Sequence, residues 1–215
     1  GRRHSYLLHA DRNGHHGDHS ESAEGSSKPI AEPTKLASQF IDTSCFTGSF
    51  NKTVALPIVE VKVYSPALKQ YVQTFALLDN ASSHSFMNER LMDELKLETK
   101  QEVISLTTIE RQDSVTKSKV ARSVTITDIA GTNQVTLQTV YSRKVLPINP
   151  ENFATQDDVI GFSHLQGLEI PKAAPNEVMI LIGQDCPAAL MPINIVKGGK
   201  NEPWASQSLL GWSLN

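Results

Sequence analysis

From Val59 the chain alternates in character: Val59, Val61 and Val63 fall on one side, Glu60 and Lys62 on the other. A period of two over Leu56 to Val63 predicts a strand with one buried face. Ser65-Pro66 interrupts it and supplies a turn. Tyr71 to Leu78 follows as a second strand, whose far end, Phe75-Ala76-Leu77-Leu78, is apolar on both faces and should run into the core. The two strands predict a hairpin. A second hairpin is predicted from Ser123 to Ile129 and Gln134 to Tyr141, hinged at Ala130-Gly131-Thr132-Asn133, where Gly131 can take a positive φ. Val178 to Ile182, closed by Gly183, is a continuous apolar run of strand length and belongs at the centre of a sheet.

One segment argues for helix. Asn88 can cap it, Glu89 stands in its first turn near the positive end of the dipole, and Leu91 and Leu95 are one helical turn apart. Many short strands and one short helix predict a mainly β fold, a compact barrel or sandwich, rather than an alternating α/β fold.

Before about Asn51 neither period is present. Residues 1–50 are rich in His, Ser, Gly, Glu and Lys and read as a disordered tail, with residues 51–215 as the folded domain. Pro29 and Pro33 mark a linker within it. His4, His9, His15, His16 and His19 are of a ligand type, but a site built from mobile side chains alone must offset ordering entropy at each one. We read no metal site and no cofactor. The chain begins on Gly1 without a charged-then-apolar leader pattern, and reads as a piece of something longer.

Composition narrows the functions. Among 215 residues, Lys and Arg number 20 and Asp and Glu 23, so the net charge of −3 gives no broad basic field for nucleic acid. Cys45 and Cys186 are the only cysteines, which excludes a disulfide framework and an all-cysteine zinc site. No apolar run is long enough to span a membrane as a helix.

The chemistry-bearing feature is the end of the second strand, Leu77-Leu78-Asp79-Asn80-Ala81-Ser82-Ser83. A carboxylate directly after a buried strand stands where its charge is poorly hydrated. The plain alternative is an Asp that organises its own turn by accepting the N–H of Ala81 or Ser82. Other constellations are weaker. Ser82 or Ser83 with His84 could suggest a serine nucleophile, but neighbours in a turn are not expected to point at each other, and no carboxylate apart from Asp79 itself is evident to orient the imidazole. Cys186 with His164 could suggest a thiol nucleophile, but a cysteine after an apolar strand reads as buried and inert. Asp157-Asp158 lies in a polar stretch and reads as a surface pair.

The apolar pair, Asp79, Asn80, Ala81 and Ser82 resemble the Asp-Thr/Ser-Gly active-site turn of retropepsin-like aspartic proteases. With Leu56 to Val63, Ser85-Phe86-Met87, Leu181-Ile182-Gly183-Gln184-Asp185 and Leu210-Gly211-Trp212-Ser213-Leu214, the likeness runs in order over residues 54–214. Together they look like the protease region of BEL/Pao-type retrotransposon Gag-Pol polyproteins. Arg3 to His9 looks like the end of the zinc-knuckle segment that precedes it, and nucleic acid would be met only through that upstream segment.

The resemblance implies a retropepsin-like closed β barrel and an aspartic endopeptidase of cytoplasmic polyproteins. It would act as a homodimer on a polypeptide substrate, the Gag-Pol precursor. Asp79 would be catalytic, one copy from each chain, sharing a proton across a twofold axis. One carboxylate would act as general base on a water while the protonated one polarises the scissile carbonyl. Asn80, Ala81 and Ser82 would shape the turn. Gly183 would let a supporting loop pass close beneath it, and Asp185 would have a structural role there. Thr107, Thr108, Ile109 and Glu110 would form the substrate-covering flap.

Three positions depart from that pattern. Ala81 stands where the family has Gly, and its methyl is expected to strain the loop or tilt Asp79. Asn80 replaces a hydroxyl residue with a larger carboxamide. The flap segment, Leu106 to Gln112, has no glycine. Two readings therefore stand: an active endopeptidase, and a catalytically silent retropepsin-like domain serving dimerisation or peptide binding.

Overall fold

In the computed structural model, residues 55–106, 114–149, 152–171 and 177–215 are described. The tail expected to be disordered, residues 1–50, lies outside them.

β1 (Ile58–Ser65) and β2 (Gln70–Leu78) form the first predicted hairpin, antiparallel with Ile58 opposite Leu77 and Ser65 opposite Gln70. Val59, Val61 and Val63 are buried, while Glu60 and Lys62 are half-buried on the other face. The short β3 (Ser85–Asn88) leads straight into α1 (Glu89–Glu94), where the Asn88 side chain accepts the Arg90 N–H. Leu91, Met92 and Leu95 from this segment enter the core. β4 (Thr99–Leu106), β5 (Ser114–Asp128) and β6 (Gln134–Arg143) make an antiparallel meander, in which Gly131 takes φ 74° at the predicted β5–β6 turn.

β7 (Ile180–Ile182) is inserted between β2, with which it runs parallel, and β3, with which it runs antiparallel. The apolar run therefore is central, as its composition requires. The sheet order is β1-β2-β7-β3-β6-β5-β4, and a further β1–β5 pairing closes six of these strands into a barrel, leaving β4 outside the ring. Closure depends on a bend in β5. Its first half pairs with β4 and its last residues with β1, and between them Ser123 adopts φ 53°. A left-handed conformation at a residue with a Cβ costs about 1–2 kcal/mol, which the two ladders it permits offset. The interior is lined by Val59, Val61, Ala76, Met87, Ile126 and Ile180 among others.

A second, three-stranded sheet follows, ordered β10-β9-β8, made of β8 (Asn194–Val196), β9 (Ala205–Ser208) and β10 (Gly211–Leu214). Its inner face packs Ala205 and Leu214 on Ala154, Val159, Phe162, Leu165 and Ile170. The expectation of one helix is corrected: α2 (Pro187–Leu190) is a second one, started by a proline whose missing N–H costs nothing in the first turn.

Candidate functional site

β2 and β7 end side by side, and each releases a loop at the same end of the barrel. The Asp79 N–H donates to Ile182 O at 2.9 Å, so the first residue of the turn is still held by the neighbouring strand. The turn then closes on itself: Ala81 N–H donates to Asp79 Oδ1 at 2.9 Å and Ser82 N–H to Asp79 O at 3.3 Å. Asp79 is half-buried, and Asn80 and Ala81 are exposed. Asp79 Oδ2 accepts no hydrogen bond from the described residues.

Ala81 does not behave as its sequence suggests. Its φ is not positive, and its N–H reaches the carboxylate at ordinary distance, so the expected strain in the loop is absent. The glycine that this end of the barrel needs is Gly183. A Cβ placed there would lie 2.5 Å from His84 O and 2.8 Å from Ser82 O, both backbone atoms that cannot give way without moving the turn.

Around that contact the two loops are sewn together. Gln184 N–H donates to Ser82 O at 2.8 Å, and Gly183 N–H to Ser85 Oγ at 3.1 Å. Asp185 takes the Ser85 N–H on Oδ2 at 3.0 Å and the Ser85 hydroxyl on Oδ1 at 2.7 Å. Ser85 is fully buried, so the carboxylate satisfies groups that would otherwise be costly orphans. Gln184, which sequence reasoning passed over, places Nε2 at 3.2 Å from Asn80 O. Its position between Gly183 and Asp185 was the available signal.

The residues after the turn make a surface of their own. Ser82 Oγ donates to His84 O at 2.7 Å. Ser83 Oγ lies 2.8 Å from His84 Nδ1, which corrects the expectation that these neighbours point apart. The His84 ring meets Tyr141 edge to face at 5.6 Å, and none of the ion pairs among the described residues gives it a carboxylate. A Ser-His couple without an orienting acid lacks the third member of a triad.

His164 and Cys186 do not meet. His164 Nε2 lies 2.9 Å from Pro203 O and Nδ1 3.6 Å from Glu202, while Cys186 is a free, buried thiol whose pKa is pushed up by burial. A thiol held protonated is a poor nucleophile. Asp157 is exposed as expected, but Asp158 is more than a surface acid. It accepts the Thr155 N–H at 2.7 Å and hydroxyl at 3.0 Å, capping a 3₁₀ turn at Gln156–Val159.

Thr107, Thr108, Ile109 and Glu110 lie outside the described residues. The strands flanking them pair up to Leu106 opposite Ser114. A concavity of about 350 Å³ is remote from Asp79 in sequence and is lined by residues between Ile195 and Trp204, in β8 and the connection to β9. Among the described residues no three His, Cys, Asp or Glu side chains gather as a metal site requires, and no helix is long and apolar enough to cross a membrane. No protein-family model matches the chain, and no curated protein matches it either.

Proposed function

We propose that this chain is a retropepsin-like aspartic endopeptidase domain, of the kind found in BEL/Pao-type retrotransposon polyproteins, active as a homodimer with one Asp79 from each chain. The observation that carries the reading is the state of the Asp79 carboxylate. It stands at the end of a buried barrel strand, in an exposed turn, with one oxygen fixed by Ala81 N–H and the other without a hydrogen bond among the described residues. A turn braced from below by Gly183 and Gln184 and open above suits a carboxylate that must face its own copy across a twofold axis.

Two such groups cannot both ionise at close range, so the pair holds one proton between them. The charged member then draws a proton from water while the neutral member hydrogen-bonds the scissile carbonyl. In sequence the paired β4 and β5 flank the flap segment of the resemblance, which would cover an extended peptide.

The competing reading is a silent module that keeps the barrel for dimerisation or peptide binding. It is favoured by the Asp79 hydrogen bond itself, since an Asp organising its own turn makes the same contact. Incubating the purified chain with its polyprotein precursor separates the two. Cleavage that disappears in Asp79→Asn, and that falls on mixing the wild-type chain with excess Asp79→Asn, supports a shared centre. A chain that dimerises and binds precursor but cuts in neither form overturns it.

A further inference from the structure

The Asp79 turn is held by hydrogen bonds of two kinds. Backbone groups hold its ends: Asp79 N–H donates to Ile182 O at 2.9 Å, and Ser82 O accepts Gln184 N–H at 2.8 Å. Its middle is the peptide unit that joins Asn80 to Ala81, and side chains hold that unit at both edges. On one edge Ala81 N–H donates to Asp79 Oδ1 at 2.9 Å. On the other Asn80 O accepts from Gln184 Nε2 at 3.2 Å. The same Nε2 lies 3.5 Å from Asn80 Oδ1, so its two N–H groups face two oxygens of one residue.

A trans peptide unit is planar, and its C=O and N–H point in nearly opposite directions. Fixing the oxygen of this unit therefore fixes where its N–H points, and that N–H is the group bound to the Asp79 carboxylate. Turning of the plane about its flanking bonds would carry the N–H off Oδ1, and the Gln184 amide opposes that turn. Gln184 and Asn80 are both exposed, so the contact adds little apolar burial. The base from which the Gln184 side chain reaches is nonetheless fixed, by its own N–H on Ser82 O and by Gly183, whose lack of a Cβ lets the loop approach His84 and Ser82. The titratable neighbours on the two loops are engaged elsewhere, Asp185 with Ser85 and His84 with Ser83.

We propose that Gln184 is a positioning residue for Asp79: by holding Asn80 O it sets the plane of the Asn80–Ala81 peptide, and through Ala81 N–H it orients the carboxylate. Gln184 does not itself touch the reacting atoms. Its hold on the turn is independent of cleavage, and its effect on rate rests on the endopeptidase reading.

The test compares the whole parent chain with Gln184→Met, which keeps the length and loses the donor, and with Gln184→Lys, which keeps a donor. Exchange of the Ala81 amide with water, followed by NMR at pH 7, is expected to quicken about fivefold in Gln184→Met while the amides of β1 and β2 stay unchanged. With the polyprotein precursor as substrate, kcat should fall about tenfold in Gln184→Met with KM within about twofold of the parent. Gln184→Lys should recover both the slow exchange and the rate to within about threefold. A side chain that merely packed would give the reverse order, since Met matches Gln in shape and neutrality more closely than Lys does. Ala81 exchange unmoved in Gln184→Met overturns the proposal, as does a Gln184→Lys variant no better than Gln184→Met, or a parent that cuts and a Gln184→Met variant that cuts at its rate. A parent that does not cut overturns the endopeptidase reading instead, and Ala81 exchange then decides alone whether Gln184 holds the turn.

Discussion

Asp79 and Asp185 stand just beyond the ends of two strands that run parallel and adjacent, and each begins or belongs to the loop that leaves its strand. Their hydrogen bonds differ. Asp185 spends both oxygens on Ser85, one on the N–H and one on the hydroxyl. Asp79 spends one, on Ala81 N–H. Removing the first acid leaves buried donors without acceptors; altering the second takes almost nothing from the fold. A carboxylate available for chemistry is thus told from one committed to structure by accounting for each oxygen, which residue type and spacing cannot do.

The difference can be broken at several points. The largest effect should come from the residue between the loops: Gly183→Ala sets a methyl against the carbonyls of His84 and Ser82. A loss of about 4 kcal/mol or more is expected in urea unfolding, enough to leave little folded protein. Asp185→Ala orphans the buried Ser85 groups and should cost about 2–3 kcal/mol, read as a lower urea midpoint at unchanged slope.

Cys186, the next residue along, reports on the same loop. Burial favours its neutral thiol, so the folded chain holds that proton to higher pH than the unfolded chain. Stability from this source is whole below the ordinary thiol value of 9.0 and is lost as pH rises through the raised one. A thiol reagent should therefore label Cys186 at the rate of opening of the fold, and faster in Asp185→Ala than in the parent. The smallest effect is expected for Asp79→Asn. Its carboxamide oxygen still accepts Ala81 N–H, and stability should stay within about 0.5 kcal/mol. A large fall would mean that Asp79 is structural like Asp185, and would remove the contrast.

Much of the barrel was legible where one face is apolar and the other polar. Val59, Val61 and Val63 announced β1, Asn88 announced α1, and Gly131 the β5–β6 turn. What escaped was strand without such a face. β4 has no buried residue and exists because β5 offers it a ladder. The first half of β5, through Lys117, Ser118 and Lys119, hides in the same way. β3 is four residues long, and β9 is largely polar, with Ser206 and Gln207 between its buried ends.

At the site, the turn and the need for Gly183 could be read from residue types. The orientation of Ser83 toward His84, the freedom of Ala81 and the reach of Gln184 could not. Each is a matter of a dihedral angle set by partners about a hundred residues away or by the next turn of backbone.

The place of β7 carries a consequence for how this chain folds. Ile180–Ile182 sits between β2 and β3, which are separated from it by most of the domain and do not pair with each other. Without those three residues the ring has no strand to join β2 to β3, and the acid-bearing turn loses the loop that Gly183 sets against it. Of the six strands in the ring β7 is the last in the chain, so the contacts that hold the Asp79 turn are the most distant in sequence that the barrel makes, and contacts of that kind are slow to form.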